Sequence, residues 1–126
     1  MSTTTVAAIY DLAMSGFFIN DSNIAQGSTN VTAVRINGEC IRVVGGASNA
    51  GIVMPAILSG EALSVPYFVI NDGPNTIKVY ASSGESINGS ALATANLSIA
   101  AGAIGVFFPV PNHHGGSTDW RCAAIA

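Results

Sequence analysis

Three observations predict an all-β domain. Short runs rich in β-branched and aromatic residues recur along the chain, several alternate with period 2, and turn signals built on Gly, Asn, Asp and Pro separate them at short, regular spacing. From Val31 onward about eight such runs follow one another, the count of a small jelly-roll-like sandwich or barrel of antiparallel strands. Residues 1–30 have a different pattern and read as an N-terminal arm or docking segment, leaving 31–126 as the β-sandwich domain. A single domain of 126 residues buries roughly two-thirds of its unfolded surface, so neither a disulfide framework nor a zinc site is needed to hold it together.

The arm opens on a short helix signal, Val6 to Met14, with Thr4 or Thr5 as its cap and Gly16 as its stop. Two turns of helix are marginal alone, so the segment needs a surface to lie against. Phe17-Phe18-Ile19 follows, then a polar stretch from Asn20 to Asn30. The apolar trio has two uses that stay open: docking on another surface, or closing one end of the core.

Val31 to Ile36 and Cys40 to Val44 flank Asn37-Gly38-Glu39, and Asn-Gly between two such runs predicts a hairpin. Arg35 and Arg42 then lie on opposite sides of the turn. Either they share a face and call for an acidic neighbour, or they are two solvated cations. Gly45 to Gly51 is a flexible connection, and Pro55, which cannot donate to a ladder, makes Ile52 to Leu58 an edge or interrupted strand.

Val65-Pro66-Tyr67-Phe68-Val69-Ile70 is apolar on both faces, and Asp72-Gly73-Pro74-Asn75 turns it toward Thr76-Ile77-Lys78-Val79-Tyr80 in what reads as a second hairpin. A strand apolar on both faces is central in a sandwich or covered by a neighbouring subunit. Turn signals at Ser83-Gly84 and Asn88-Gly89 bracket a stub at Ser86-Ile87. Leu97-Ser98-Ile99, a turn at Ala101-Gly102 and Ile104 to Phe108 come next, and Asp119 to Ile125 is the last strand, with the single tryptophan, Trp120, packed on the Phe107-Phe108 strand.

Charge is scarce: four Lys plus Arg stand against seven Asp plus Glu, and charged residues make up 9% of the chain where roughly 25% is ordinary. So little charge leaves a lone surface poorly solvated, and association with copies of itself or with a larger scaffold follows. With no basic cluster, nucleic acid and anionic membranes are not expected partners. The apolar runs are broken by Gly and Pro, so no spanning segment is expected, and Met1 to Thr5 lacks the basic start of a secretory signal, which points to synthesis in a cytoplasm. In that compartment Cys40 and Cys122 read as buried thiols, with a disulfide between them the other possibility.

His113-His114 is the one pair that suggests a metal, but neighbours on an extended chain point to opposite sides. Only an oligomer gathering His113 from several copies around an axis revives it. No Ser sits in a G-x-S-x-G elbow and no Gly run fits a phosphate loop. The expectation is a chain that is not an enzyme and needs no cofactor or metal.

Val53-Met54-Pro55-Ala56, the Val69 to Tyr80 segment, Ser83-Gly84-Glu85-Ser86-Ile87-Asn88-Gly89, the alanine-rich Leu97-Ser98-Ile99-Ala100-Ala101-Gly102 and Thr118-Asp119-Trp120 together resemble a class of small tailed-bacteriophage structural proteins, among them capsid decoration or cement proteins. The resemblance spans Ile52 to Ile125, and Ala81 stands where that class often has Pro, a change that touches only a turn. It implies a jelly-roll-like protein, often a homotrimer, bound to the major capsid protein on the outside of an icosahedral head, where it braces the junctions between capsomers. On that expectation Ile9, Tyr10, Phe17, Phe18 and Ile19 contact the capsid, and Val65, Tyr67 and Val69 lie between subunits. The alternative is a tail-fibre or surface-knob module that binds host glycans through loops such as Asn112 to Thr118.

Overall fold

The computed structural model describes residues 19–36, 40–57, 66–110 and 118–125. These form ten strands: β1 (Ile19–Ala25), β2 (Val34–Arg35), β3 (Cys40–Gly46), β4 (Gly51–Val53), β5 (Tyr67–Asn71), β6 (Ile77–Tyr80), β7 (Ser86–Ile87), β8 (Leu97–Ile99), β9 (Ile104–Val110) and β10 (Asp119–Ile125). No helix occurs among the described residues. The helix expected over Val6 to Met14 lies outside them. So do the Asn37-Gly38-Glu39 turn and the two histidines.

The strands pack as two sheets, one ordered β1-β3-β5-β9-β10-β7 and the other β2-β4-β6-β8. From β1 to β6 the chain alternates between the sheets. Each strand therefore pairs in parallel with the strand two places on, β1 with β3 and β3 with β5 in the larger sheet, β2 with β4 and β4 with β6 in the smaller. Antiparallel pairing begins only where β9 joins β5 and β10, and β8 joins β6. The all-β expectation is met, but the antiparallel order of a jelly roll is not the order observed.

Both expected hairpins are corrected by this order. β2 and β3 belong to different sheets, as do β5 and β6. Asp72 to Thr76 is thus an arch that carries the chain from one layer to the other, a step of roughly 10 Å instead of the 4.8 Å between paired strands. Asn71 shapes that arch: its Oδ1 accepts the Gly73 N–H at 3.1 Å, while its Nδ2 donates to the carbonyls of Asn75 and Ile99 at 2.8 and 2.9 Å. The arch stacks on its predecessor, because the Asp72 N–H donates to the Val43 carbonyl and Asn75 Nδ2 to that of Gly46. Side-chain amides take over where the ladders stop.

Strand β1 lies inside the stretch read as an arm, so the β-domain begins at least by Ile19. Its backbone continues into the domain, with Gln26 N–H donating to Gly51 and Asn30 N–H to Ala93. The core between the sheets holds Ile41, Val43, Tyr67, Val69, Phe107 and Trp120 from the larger sheet against Ile52, Ile77, Val79 and Ile99 from the smaller. Trp120 meets Tyr67 edge to face, with ring centroids 5.3 Å apart. Its strand does pair with β9, but only Phe107 shares the core with it; Phe108 points the other way.

Candidate functional site

Side chains on a strand alternate between faces, so the core residues fix which ones point outward. Tyr67 and Val69 face inward on β5, hence Phe68 and Ile70 face outward. The same parity sends Cys40 and Arg42 outward on β3, Ile104, Val106 and Phe108 on β9, and Arg121, Ala123 and Ile125 on β10. Strand register then places these side chains in rows. Cys40, Phe68, Val106 and Ala123 form one row, and Arg42, Ile70, Ile104 and Ile125 form the next. The larger sheet therefore carries a second apolar face, directed away from the core.

That face is unevenly covered. Phe108 is 51% exposed with Ala123 exposed near it, and Val44 is exposed at the opposite end of the face. Cys40, Phe68, Ile70 and Ile104 are each 5% exposed or less. Polar groups mark two edges: Arg42 Nε sits 2.6 Å from Asp72 Oδ2, and Arg121 Nε 2.6 Å from Asp119 Oδ2. Arg42 thus has its acidic neighbour, while Arg35, on the other sheet, donates to Ser82 Oγ at 2.9 Å. The two arginines do not share a face, because β2 and β3 belong to different sheets.

Asp119 anchors the outermost strand of the larger sheet. It is buried, and its Oδ1 accepts from Ser86 Oγ at 2.7 Å and from the Gly89 N–H at 3.1 Å. Asn88, held at φ 48°, uses its side-chain amide as a strand residue would, accepting the Cys122 N–H at 3.0 Å and donating to the Cys122 carbonyl at 3.1 Å. These contacts bind β7 to β10 and use up the polar atoms they involve. The Trp120 indole N–H finds no acceptor among the described residues.

Both cysteines are free thiols. Burial pushes Cys40 up to about 11; it does the same for Cys122, where the Asn88 contact pulls down and the Asp119 charge adds a further rise. Thiols held this far above neutral pH are poor nucleophiles. Among the described residues no three His, Cys, Asp or Glu side chains gather where they would hold a metal ion, and no helix is long and apolar enough to cross a membrane.

Of the residues expected to contact a capsid, Ile9, Tyr10, Phe17 and Phe18 lie outside the described residues, as does Val65. Ile19 opens β1, in register with Cys40 at the edge of the larger sheet. Tyr67 and Val69 are corrected: both are buried in the core of the single chain, so neither has surface left to offer a neighbouring subunit. Their run is apolar on both faces, so its pattern could not say which parity points inward. The residues on the other parity, Phe68 and Ile70, occupy the outer face. The two adjacent phenylalanines of β9 carried the same signal, since one of any such pair must leave the core.

No protein-family model matches this chain, and neither a curated protein nor a solved structure does.

Proposed function

We propose that this chain is a non-catalytic structural protein that packs on a larger lattice, of the phage capsid decoration type, and that the open part of the outer sheet face meets the shell. The carrying observation is Phe108, 51% exposed in a chain with only 9% charged residues and set beside Val106 and Ala123 on one apolar face. The phage-like series from Ile52 to Ile125 supplies the identity of the lattice, and the major capsid protein is the partner it names. Self-association as a homotrimer around a capsomer junction belongs to the same reading.

A half-exposed phenylalanine offers on the order of 100 Å² for burial, about 2 kcal/mol at 25 cal/mol per Å² before association costs. One such contact is weak. Repetition over a symmetric shell raises the effective affinity without new contacts. The test is titration of the purified protein onto heads of the phage that encodes it, prepared without it. Saturation at a fixed number of copies per head is expected, with F108S weakening binding about tenfold. No binding to heads contradicts the reading, and glycan binding in its place turns it toward a tail module.

A further inference from the structure

Strand β7 runs into a turn whose two central residues serve two purposes. Ile87 and Ser90 exchange backbone hydrogen bonds of 2.9 and 3.0 Å across Asn88-Gly89, and Asn88 and Gly89 hold φ of 48° and 86°. That is the type I′ geometry, for which Asn-Gly is a preferred pair. The same pair is chemically the most open to spontaneous deamidation. Glycine has no Cβ to shield its nitrogen, so that nitrogen can close a cyclic imide on the side-chain amide before it.

Asn88 and Gly89 are both exposed, and a Cβ on Gly89 would meet nothing within 4 Å. Packing therefore leaves the site open, and hydrogen bonds are what close it. Asn88 Oδ1 accepts the Cys122 N–H at 3.0 Å and Nδ2 donates to the Cys122 carbonyl at 3.1 Å, so both ends of the amide are held on β10. The nitrogen that would attack is held as well, because the Gly89 N–H donates to Asp119 Oδ1 at 3.1 Å. Nucleophile and electrophile are each bound to a different residue of the neighbouring strand.

We propose that Asn88-Gly89 is a latent deamidation site, masked while β7 is closed on β10 and converted when β7 opens. In the open state the Gly89 nitrogen gives its proton to solvent base and bonds to Asn88 Cγ; the Cγ–Nδ2 bond breaks and Nδ2 leaves as ammonia. Water then opens the imide to aspartate or isoaspartate at position 88, with no oxidant or reductant. Either product is a carboxylate. It has no N–H for the Cys122 carbonyl, and it adds negative charge to a turn that Asp119 already contacts. Isoaspartate also lengthens the main chain, which then runs through Cγ. Reclosure is opposed, and the opening becomes one-way.

The opening is local. β7 pairs with β10 alone among the strands, through Ser86 with Asp119 and Ile87 with Trp120. Of its two residues only Ile87 belongs to the core. Ser86 Oγ adds contacts of 2.7 Å to Asp119 Oδ1 and 3.1 Å to the Thr118 carbonyl. An edge strand this short lies at the low end of local stability.

The test follows deamidation at Asn88 by peptide mass spectrometry while the full chain ages in mildly alkaline buffer, native or unfolded in urea. The native rate should be at least about tenfold lower than the unfolded rate, for which Asn37-Gly38 in the same unfolded chain sets the intrinsic pace. Equal rates overturn the proposal. Ser86→Ala loosens β7 without altering Asn88 or Gly89, so it should raise the native rate severalfold and leave the rate in urea unchanged; no rise in the native rate overturns the masking. Should that variant fail to fold, the Asn88 N–H of the unaltered chain, which donates to the Trp120 carbonyl at 2.8 Å, gives a second reading. Its hydrogen exchange and the deamidation should quicken together in sub-denaturing urea, and deamidation that stays level while exchange rises overturns the masking too. N88D reproduces the aspartate product. Its Cys122 amide should exchange about tenfold faster than in the unaltered chain, and an equal rate contradicts the one-way opening.

Discussion

Asn71 is fully buried, yet its side chain makes three hydrogen bonds, to the Gly73 N–H and to the Asn75 and Ile99 carbonyls. Asn71→Ala leaves the Gly73 N–H without its acceptor and removes a donor from two carbonyls in a dry site, at a cost of about 3 kcal/mol. The urea midpoint should fall accordingly with an unchanged slope. The Arg42–Asp72 pair is different: both side chains are about a third exposed, so Asp72→Ala should cost under about 1 kcal/mol, and added salt should reduce the difference further. The thiols set a pH limit. An unfolded cysteine ionises near 9, while Cys40 and Cys122 hold their protons to about 11. Across that window the unfolded chain has lost protons that the native chain keeps, so stability is full below pH 9 and falls as pH rises toward 11. Burial raises Tyr80 above its usual 10.0 and adds to the same decline. Urea midpoints measured from pH 8 to 11 should show the fall, and Cys40→Ala should flatten it.

Much at the element scale was legible. The turns at Ala101-Gly102 and Asn88-Gly89 sit where the residue types placed them, with Gly102 at φ 79° and Asn88 at φ 48°. The Asp72 to Asn75 reversal was legible too. What the residues could not reveal was its destination, because a reversal looks alike whether the two runs then pair side by side or face each other across a core. Here Asn71 decides: its side chain, spent on Asn75 and Ile99, turns the chain into the second layer. Parity was hidden for a related reason, since β5 and β9 are apolar on both faces and either register buries a credible core. The capsid-contact residues proposed before Ile19 gained no test from the strands, and only Ile19 of that set has a described position. Gly105 is a further case, one of the glycines that interrupt the apolar runs. It faces the core, where a Cβ would come within 2.5 Å of Ile99 Cδ1 and 2.6 Å of the Phe107 ring. Gly105→Ala should therefore destabilise by about 1–3 kcal/mol, read as a lower thermal midpoint.

For the whole molecule the parallel order raises a question of ends, because stacked arches present open edges that invite further copies. Both ends are blunted. β1 is broken by register shifts between Asn20 and Asn23 and between Asn23 and Ile24, and β2 has only two residues; at the other end the sheets stop at β7 and β8, two and three residues long. Growth edge to edge is thus discouraged, which leaves the apolar outer face as the surface through which the molecule would associate. F108S should leave the thermal midpoint within about 1 kcal/mol of stability, since the side chain is already half in water, while weakening attachment to heads. The most direct measurement is a cryo-EM map of heads saturated with the protein. The account predicts ordered copies on the outer surface with Phe108 and Ala123 turned toward the shell; heads without added density, or copies whose Phe108 face points to solvent, would contradict it.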